Sequence, residues 1–135
     1  SKQASFAGIQ KTLQSIDGIG LISAMVIQTE IMDINRFKTL DSLCDYAGFV
    51  PDIYSSNDKM IIRGISPRAN EFLRETVIES SWVLIRKDPA MLMKYNEYRS
   101  RMNANKDIIR IGKHLLSRIR HQWQTGGVYV RGIVA

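Results

Sequence analysis

Cysteine is almost missing from this chain: Cys44 stands alone among 135 residues, so no internal disulfide can close and a reducing, cytoplasmic compartment is expected. Cys44 lies among Leu40, Leu43 and Ala47 at helical spacing, which reads as a buried, inert thiol rather than a nucleophile. Histidine is scarce too. The two present, His114 and His121, are seven residues apart, where a helical metal pair needs three or four. Asp41 and Asp45 sit four apart, but at the start of a short helix they read as solvated dipole partners. No metal site is therefore expected in this stretch. No apolar run approaches the roughly 20 residues of a membrane span, and no signal-like segment opens the chain. No low-complexity tract and no repeat of useful period occurs either. These absences exclude a disulfide scaffold, a helical membrane protein and a solenoid.

What is present is an ordinary apolar content of 44% and a net charge of +6 that is unevenly spread. The length suits one domain with a proper core, residues 1–135, ending in a short tail from 126 to 135. Residues 1–66 hold six Lys/Arg against seven Asp/Glu, whereas residues 67–135 hold thirteen against six. A basic half on a small domain is the electrostatic footprint of a polyanion binder, although a solvated surface that only aids solubility has the same composition.

Periodicity predicts an all-α domain. Phe6, Ile9, Leu13 and Ile16 mark a first helix over about 4–16, and Ile22, Met25, Val26 and Thr29 a second over about 20–32. Residues 33–37 read as a turn, after which Thr39 caps a short helix that ends near Ala47 and Gly48. Residues 48–66 form a long connection, with room for a short β-hairpin because Lys59–Arg63 has strand composition. Ser66-Pro67 reads as a cap and first turn of a helix to about Lys87, apolar nearly all round in its second half (Val77, Ile78, Trp82 to Ile85) and so expected to be central. Asp88-Pro89 repeats that start, with a seam of Met91, Tyr95, Tyr98 and Met102. A last helix over about 105–125 has its apolar line at Ile108, Gly112, Leu115, Ile119 and Trp123, and Gly126-Gly127 stops it.

Three features carry candidate chemistry. Asp17-Gly18-Ile19-Gly20 is a glycine hairpin between helices, whose free amides and following helix N-terminus suit a nucleic-acid phosphate; a plain helix–helix turn accounts for the same residues. Lys106, Arg110, Lys113, Ser117 and Arg120, spaced 4, 3, 4 and 3, share one face of the last helix away from its apolar line. Such a stripe suits a polyanion backbone, against the plainer reading of a solvated face. Ser55-Ser56 lies in the long connection, with turn composition around it. A nucleophilic serine there would need charge stabilisation at phosphorus, which Arg63, Arg68 and Arg74 are placed in sequence to supply.

Several segments in order carry a resemblance. They are Ile16 to Gly20, Ala24, Glu30-Ile31, Arg36-Phe37, Leu43, Ala47 to Pro51, Tyr54, Ser56, Gly64 to Ser66, Arg68, Asn70, Leu73-Arg74, Arg86 to Pro89, Tyr95 and Lys113 to Leu116. The chain resembles, from about residue 12 to 125, the C-terminal domain of the insertion-sequence transposases related to the Piv-type DNA invertases. The resemblance implies a RuvC-like N-terminal domain elsewhere, which would carry the acidic cluster and its Mg2+, with no cofactor in this domain. It implies that Ser56 is the serine that attacks a DNA phosphodiester, with Ser55 as the neighbouring register, and that Arg68, Asn70 and Arg74 bind phosphate or organise the site. Asn57 and Ala69 stand where the family usually has glycine. Expected partners are DNA, a structured guide RNA and further copies of the full-length protein, with no membrane, in a bacterial cytoplasm at the nucleoid. A non-catalytic helix-hairpin-helix module remains the alternative.

Overall fold

The structure is a computed structural model that describes residues 5–49, 70–101 and 106–127. Those residues form six α-helices and no strand: α1 (Phe6–Gln14), α2 (Leu21–Ile31), α3 (Leu40–Tyr46), α4 (Glu71–Lys87), α5 (Pro89–Arg99) and α6 (Lys106–Thr125), with a 3-10 turn at Ile34–Arg36 between α2 and α3. The all-α expectation holds. The hairpin option at 48–66, the Ser66-Pro67 start and Met102 lie outside the described residues.

Local chemistry sets most boundaries. The Ser5 hydroxyl accepts from the Gly8 amide to open α1, and the Thr39 hydroxyl accepts from Ser42 to open α3, as expected of N-caps. α3 ends in a Schellman motif: Gly48 turns left-handed at φ 84°, its amide bonds Asp45 O at 3.1 Å, and the Phe49 amide bonds Cys44 O at 2.7 Å. Gly126, at φ 76°, stops α6 as expected. α4 does not start where the sequence suggested. Asn70 is extended (φ −90°, ψ 100°) and its side chain accepts from the Leu73 amide, so the cap is Asn70 and the first turn begins at Glu71. Asp88 caps α5 ahead of Pro89, as read from the sequence.

The core lies where α4 meets α2, α5 and α6, with α1 and α3 closing against α6. Leu13, Ile16, Ile27, Ile31, Leu73, Leu84, Ile111, Leu115 and Leu116 are fully buried. Each such side chain contributes about 1.5–3 kcal/mol of burial free energy. The apolar line of α6 falls as expected, with Ile108, Leu115 and Ile119 buried and Trp123 packed against them. Gly112 sits on that line because the ring of Phe49, 1% exposed, fills the space a side chain would take.

On three helices apolar residues of the periodic pattern face outward. On α2, Ile22 (70% exposed) and Met25 (42%) point outward, while Ala24, Ile27, Gln28 and Ile31 are buried. The helix is apolar on nearly every side, so periodicity could not choose its inner face. On α4, Val77, Leu84 and Ile85 are buried as expected of a central helix, but Trp82 is 39% exposed and rests its edge on Tyr95 at 5.7 Å. Phe6, the first of the periodic apolar residues that mark α1, is also exposed.

Candidate functional site

Residues 50–69 lie outside the described residues, but their neighbours on either side, Phe49 and Asn70, are both fixed by described contacts. Phe49 is seated on Gly112 of α6, where its ring atoms lie 2.9 and 3.0 Å from the place a Cβ would occupy. At the other end the Asn70 amide donates to Tyr46 O at 2.8 Å, which ties the return point to the last turn of α3. The Asn70 side chain does three further things. Its Oδ1 accepts from Leu73, while its Nδ2 donates to Glu30 Oε1 at 2.7 Å and to the Tyr46 hydroxyl at 3.3 Å. That hydroxyl donates in turn to Glu30 O at 2.9 Å.

Glu30, Tyr46 and Asn70 thus bring the end of α2, the end of α3 and the start of α4 to one point. Arg36 joins them: it donates to Ile31 O at 2.6 Å and lies 5.1 Å from the ring centres of both Phe37 and Tyr46. Charge-assisted and cation–π contacts of this kind stiffen a junction more than isolated neutral bonds do. One turn along α4 from Asn70, Arg74 is half-buried, and its Nε, like those of Arg110 and Arg120, is buried without a hydrogen-bond partner among the described residues. A buried guanidinium N–H left unmatched is poised to take an acceptor.

Ser55, Ser56, Arg63 and Arg68 lie outside the described residues, so the structure brings together only Asn70 and Arg74 of that candidate set. Sequence reasoning had no means of assigning the Glu30 side chain or Tyr46 to this cluster. They are 40 and 24 residues from Asn70, and only the fold makes them neighbours.

The glycine hairpin divides in two. Gly18 (φ 97°) packs so closely on α4 that an added Cβ would lie 2.5 Å from Ser80 O, and Ile19 is buried, so both serve packing. Gly20 is open, with nothing within 4 Å of its would-be Cβ, and α2 begins there without a side-chain cap. The amides of its first turn therefore remain for an acceptor.

The basic stripe of α6 is not a freely solvated face. Lys106, Arg110, Lys113 and Arg120 are half-buried, and only Ser117 is exposed. Arg120 donates to Lys38 O at 2.9 Å, and Arg110 lies 5.9 Å from the Tyr98 ring centre. Lys113 faces α3 closely enough to lower the Cys44 thiol's pKa, but burial dominates and pushes that thiol up to about 11. Cys44 is buried and protonated, as the sequence suggested. His114 is half-buried and bonded to the Tyr98 hydroxyl, whereas His121 is exposed. Among the described residues no three His, Cys, Asp or Glu side chains come together as a metal would require. No described helix is long and apolar enough to cross a membrane.

Six helices around one core, fixed flanks on either side of residues 50–69 and a basic second half are what the described residues show. Comparison with known proteins gives the class. The family described as the transposase IS116/IS110/IS902 family matches residues 10–96, and the chain belongs to it. Over 74 residues it is 35% identical to a transposase for insertion sequence element IS1111A of Coxiella burnetii, which covers 55% of this chain and 20% of the relative. It is also 30% identical over 80 residues to a probable family 20 transposase of Pseudomonas aeruginosa, covering 59% of this chain and 23% of that one. The matches thus take in about a fifth of these curated relatives. No solved structure matches.

Proposed function

We propose that this is the DNA-binding, nucleophile-bearing domain of a transposase, with Ser56 as the attacking group. The observation that carries the reading is the junction at the base of the 50–69 connection. Phe49 on Gly112 and Asn70 on Glu30 and Tyr46 hold the two ends of the segment that contains Ser56, and Arg74 offers an unmatched N–H beside one of them.

The chemistry is a transesterification. The Ser56 oxygen forms a bond to phosphorus, one bond from phosphorus to a deoxyribose oxygen breaks, and that leaving oxygen takes a proton. The phosphodiester is exchanged rather than hydrolysed, so its energy is kept for rejoining. Charge builds on the non-bridging oxygens, where guanidinium groups from Arg74, Arg68 and Arg63 would stabilise it. The described residues do not fit a metal, and this step uses none of them as ligands. In this reading a RuvC-like domain of the longer protein supplies Mg2+, a structured RNA directs strand choice, and the full-length protein works at the nucleoid as an oligomer on DNA. Each of those parts comes from the family resemblance.

A second reading, a non-catalytic helix-hairpin-helix module, is favoured by one observation: Gly20 and the uncapped start of α2 face outward. The two readings separate in the complete transposase. Ser56→Ala should abolish strand transfer while leaving DNA affinity within about threefold, because a hydroxyl adds little to backbone binding beside Lys/Arg contacts. Ser55→Ala should be much milder. Full recombination by Ser56→Ala would leave the binding module standing alone.

A further inference from the structure

Between α5 and α6 lies a cluster with no part in the serine chemistry. Tyr98 of α5 and His114 of α6 stack with ring centres 6.2 Å apart and planes 13° from parallel, and the Tyr98 hydroxyl meets His114 Nε2 at 2.9 Å. Arg110, one turn before His114, holds its guanidinium 5.9 Å from the Tyr98 ring centre. Arg118, one turn after, is paired at 3.1 Å with Asp88, a carboxylate that is almost fully buried and also caps α5. Lys94, one turn before Tyr98, is half-buried and close enough to His114 to act on its charge.

The charges along α5 and α6 are lopsided. From Asp88 to Arg120 the sequence holds eight Lys/Arg against three Asp/Glu. His114 registers that excess. Burial, then Lys94, Arg118 and Arg110 in that order, lower its pKa below the ordinary 6.5, so the imidazole stays neutral at physiological pH. Neutral hydrogen-bonding rings flanked by cations, half open to solvent, suit an anion with more than one acceptor oxygen. A phosphodiester carries one charge over two such oxygens, and it is the group that basic protein surfaces engage on nucleic acid.

We propose that the half-buried cluster of Tyr98 and His114 is a seat for a backbone phosphate of DNA, with Lys94 and Arg110 supplying charge and the imidazole a hydrogen bond. The seat rests on the DNA-binding reading and adds to it a contact on α5, which no sequence feature had marked.

The alternative is a purely structural bond between two helices, and proton linkage separates the two. An anion placed beside the imidazole favours its charged form, so DNA would raise the pKa of His114 and binding would take up a proton. Among the described residues, the groups that face His114 are Lys94 and Tyr98 from α5 and Arg110 and Arg118 from α6, with Asp88 behind Arg118. Tyrosine, lysine and arginine do not titrate near neutral pH. The one other histidine, His121, is exposed two turns further along α6.

The test uses the 135-residue chain, a fluorescently labelled DNA duplex and fixed ionic strength, with affinity read by anisotropy near pH 8 and near pH 6. Wild type should bind roughly three- to tenfold tighter at the lower pH, and His114→Gln should remove that dependence. Lys94→Ala should weaken binding several-fold at both pH values, roughly the loss of one phosphate contact, whereas Lys11→Ala on the exposed face of α1 should not. An NMR titration of the His114 ring in wild type, free and with duplex, needs no variant to fold and should show its pKa rising on binding. The same titration with inorganic phosphate tells a DNA seat from a general anion site: a rise at millimolar phosphate equal to that with duplex would overturn the DNA assignment. DNA binding that ignores pH, His114→Gln and Lys94→Ala would overturn the seat alone. Absence of any DNA binding at low salt would overturn the DNA-binding reading itself.

Discussion

Replacing Gly112 by alanine pits two known effects against each other. Alanine in mid-helix is favoured over glycine by about 1 kcal/mol, so on helix propensity alone the substitution stabilises α6. Packing opposes it more strongly. The new methyl would overlap Phe49 Cε2 and lie 2.9 and 3.0 Å from two further atoms of the same ring, which is 1% exposed. A ring so enclosed has nowhere to go without shifting α3 or leaving the core, and overpacking of this kind costs about 1–3 kcal/mol, with lost ring burial adding up to about the same again. The expected balance is a loss of about 2 kcal/mol, or roughly 8 °C in Tm for a domain of this size. Urea unfolding followed by circular dichroism measures it. Adding Phe49→Leu should recover about 1 kcal/mol relative to the sum of the single changes, since the two sites share one space. Gly112→Ala at or above wild-type stability would refute the packing. Because Phe49 directly precedes the segment that contains Ser56, Gly112→Ala in the complete transposase should lower strand transfer more than DNA affinity.

Two further outcomes follow from single side chains. Asn70→Ala removes a cap worth about 1 kcal/mol and leaves Glu30 Oε1 without its donor, so a loss of about 2–3 kcal/mol is expected in denaturant melts. Asn70→Asp, normally as good a cap, should do no better, because its carboxylate would face that of Glu30; stability equal to wild type would mean that the Glu30 contact contributes nothing. Cys44, its thiol pushed up to about 11 by burial, should resist alkylation near pH 8 in the native protein and react freely on unfolding. Rapid native labelling would show that α3 opens locally.

Much of the fold was legible because several helix ends carry their own chemistry. Thr39, Asp88-Pro89, Gly48 and Gly126 each do locally what their residue type allows, and α6 alternates strongly enough to fix its inner face. α2 was not legible in that way. With apolar residues on all sides, its inner face is chosen by neighbours, and Ile22 and Met25 fall outside. The start of α4 was misread for a related reason: Ser66-Pro67 is a sound local start, but tertiary bonds to Glu30 and Tyr46 fix Asn70 as the cap. At the site, Arg74 was named from its place in the sequence and Asn70 from the family resemblance, while the Glu30 side chain and Tyr46 became partners only through contacts 40 and 24 residues apart in sequence. Gly18 and Gly20 looked equivalent as a pair; only packing on α4 separates the one that fills space from the one left open.

The central claim is that Ser56 forms a covalent bond to DNA. The direct measurement is to incubate the complete transposase with its element-end DNA, denature in SDS, and map any protein–DNA adduct by mass spectrometry after proteolysis. The expected result is an SDS-resistant adduct on the peptide bearing Ser55-Ser56, localised to Ser56 and absent from Ser56→Ala. Strand transfer without an adduct, or an adduct on another residue, would contradict it.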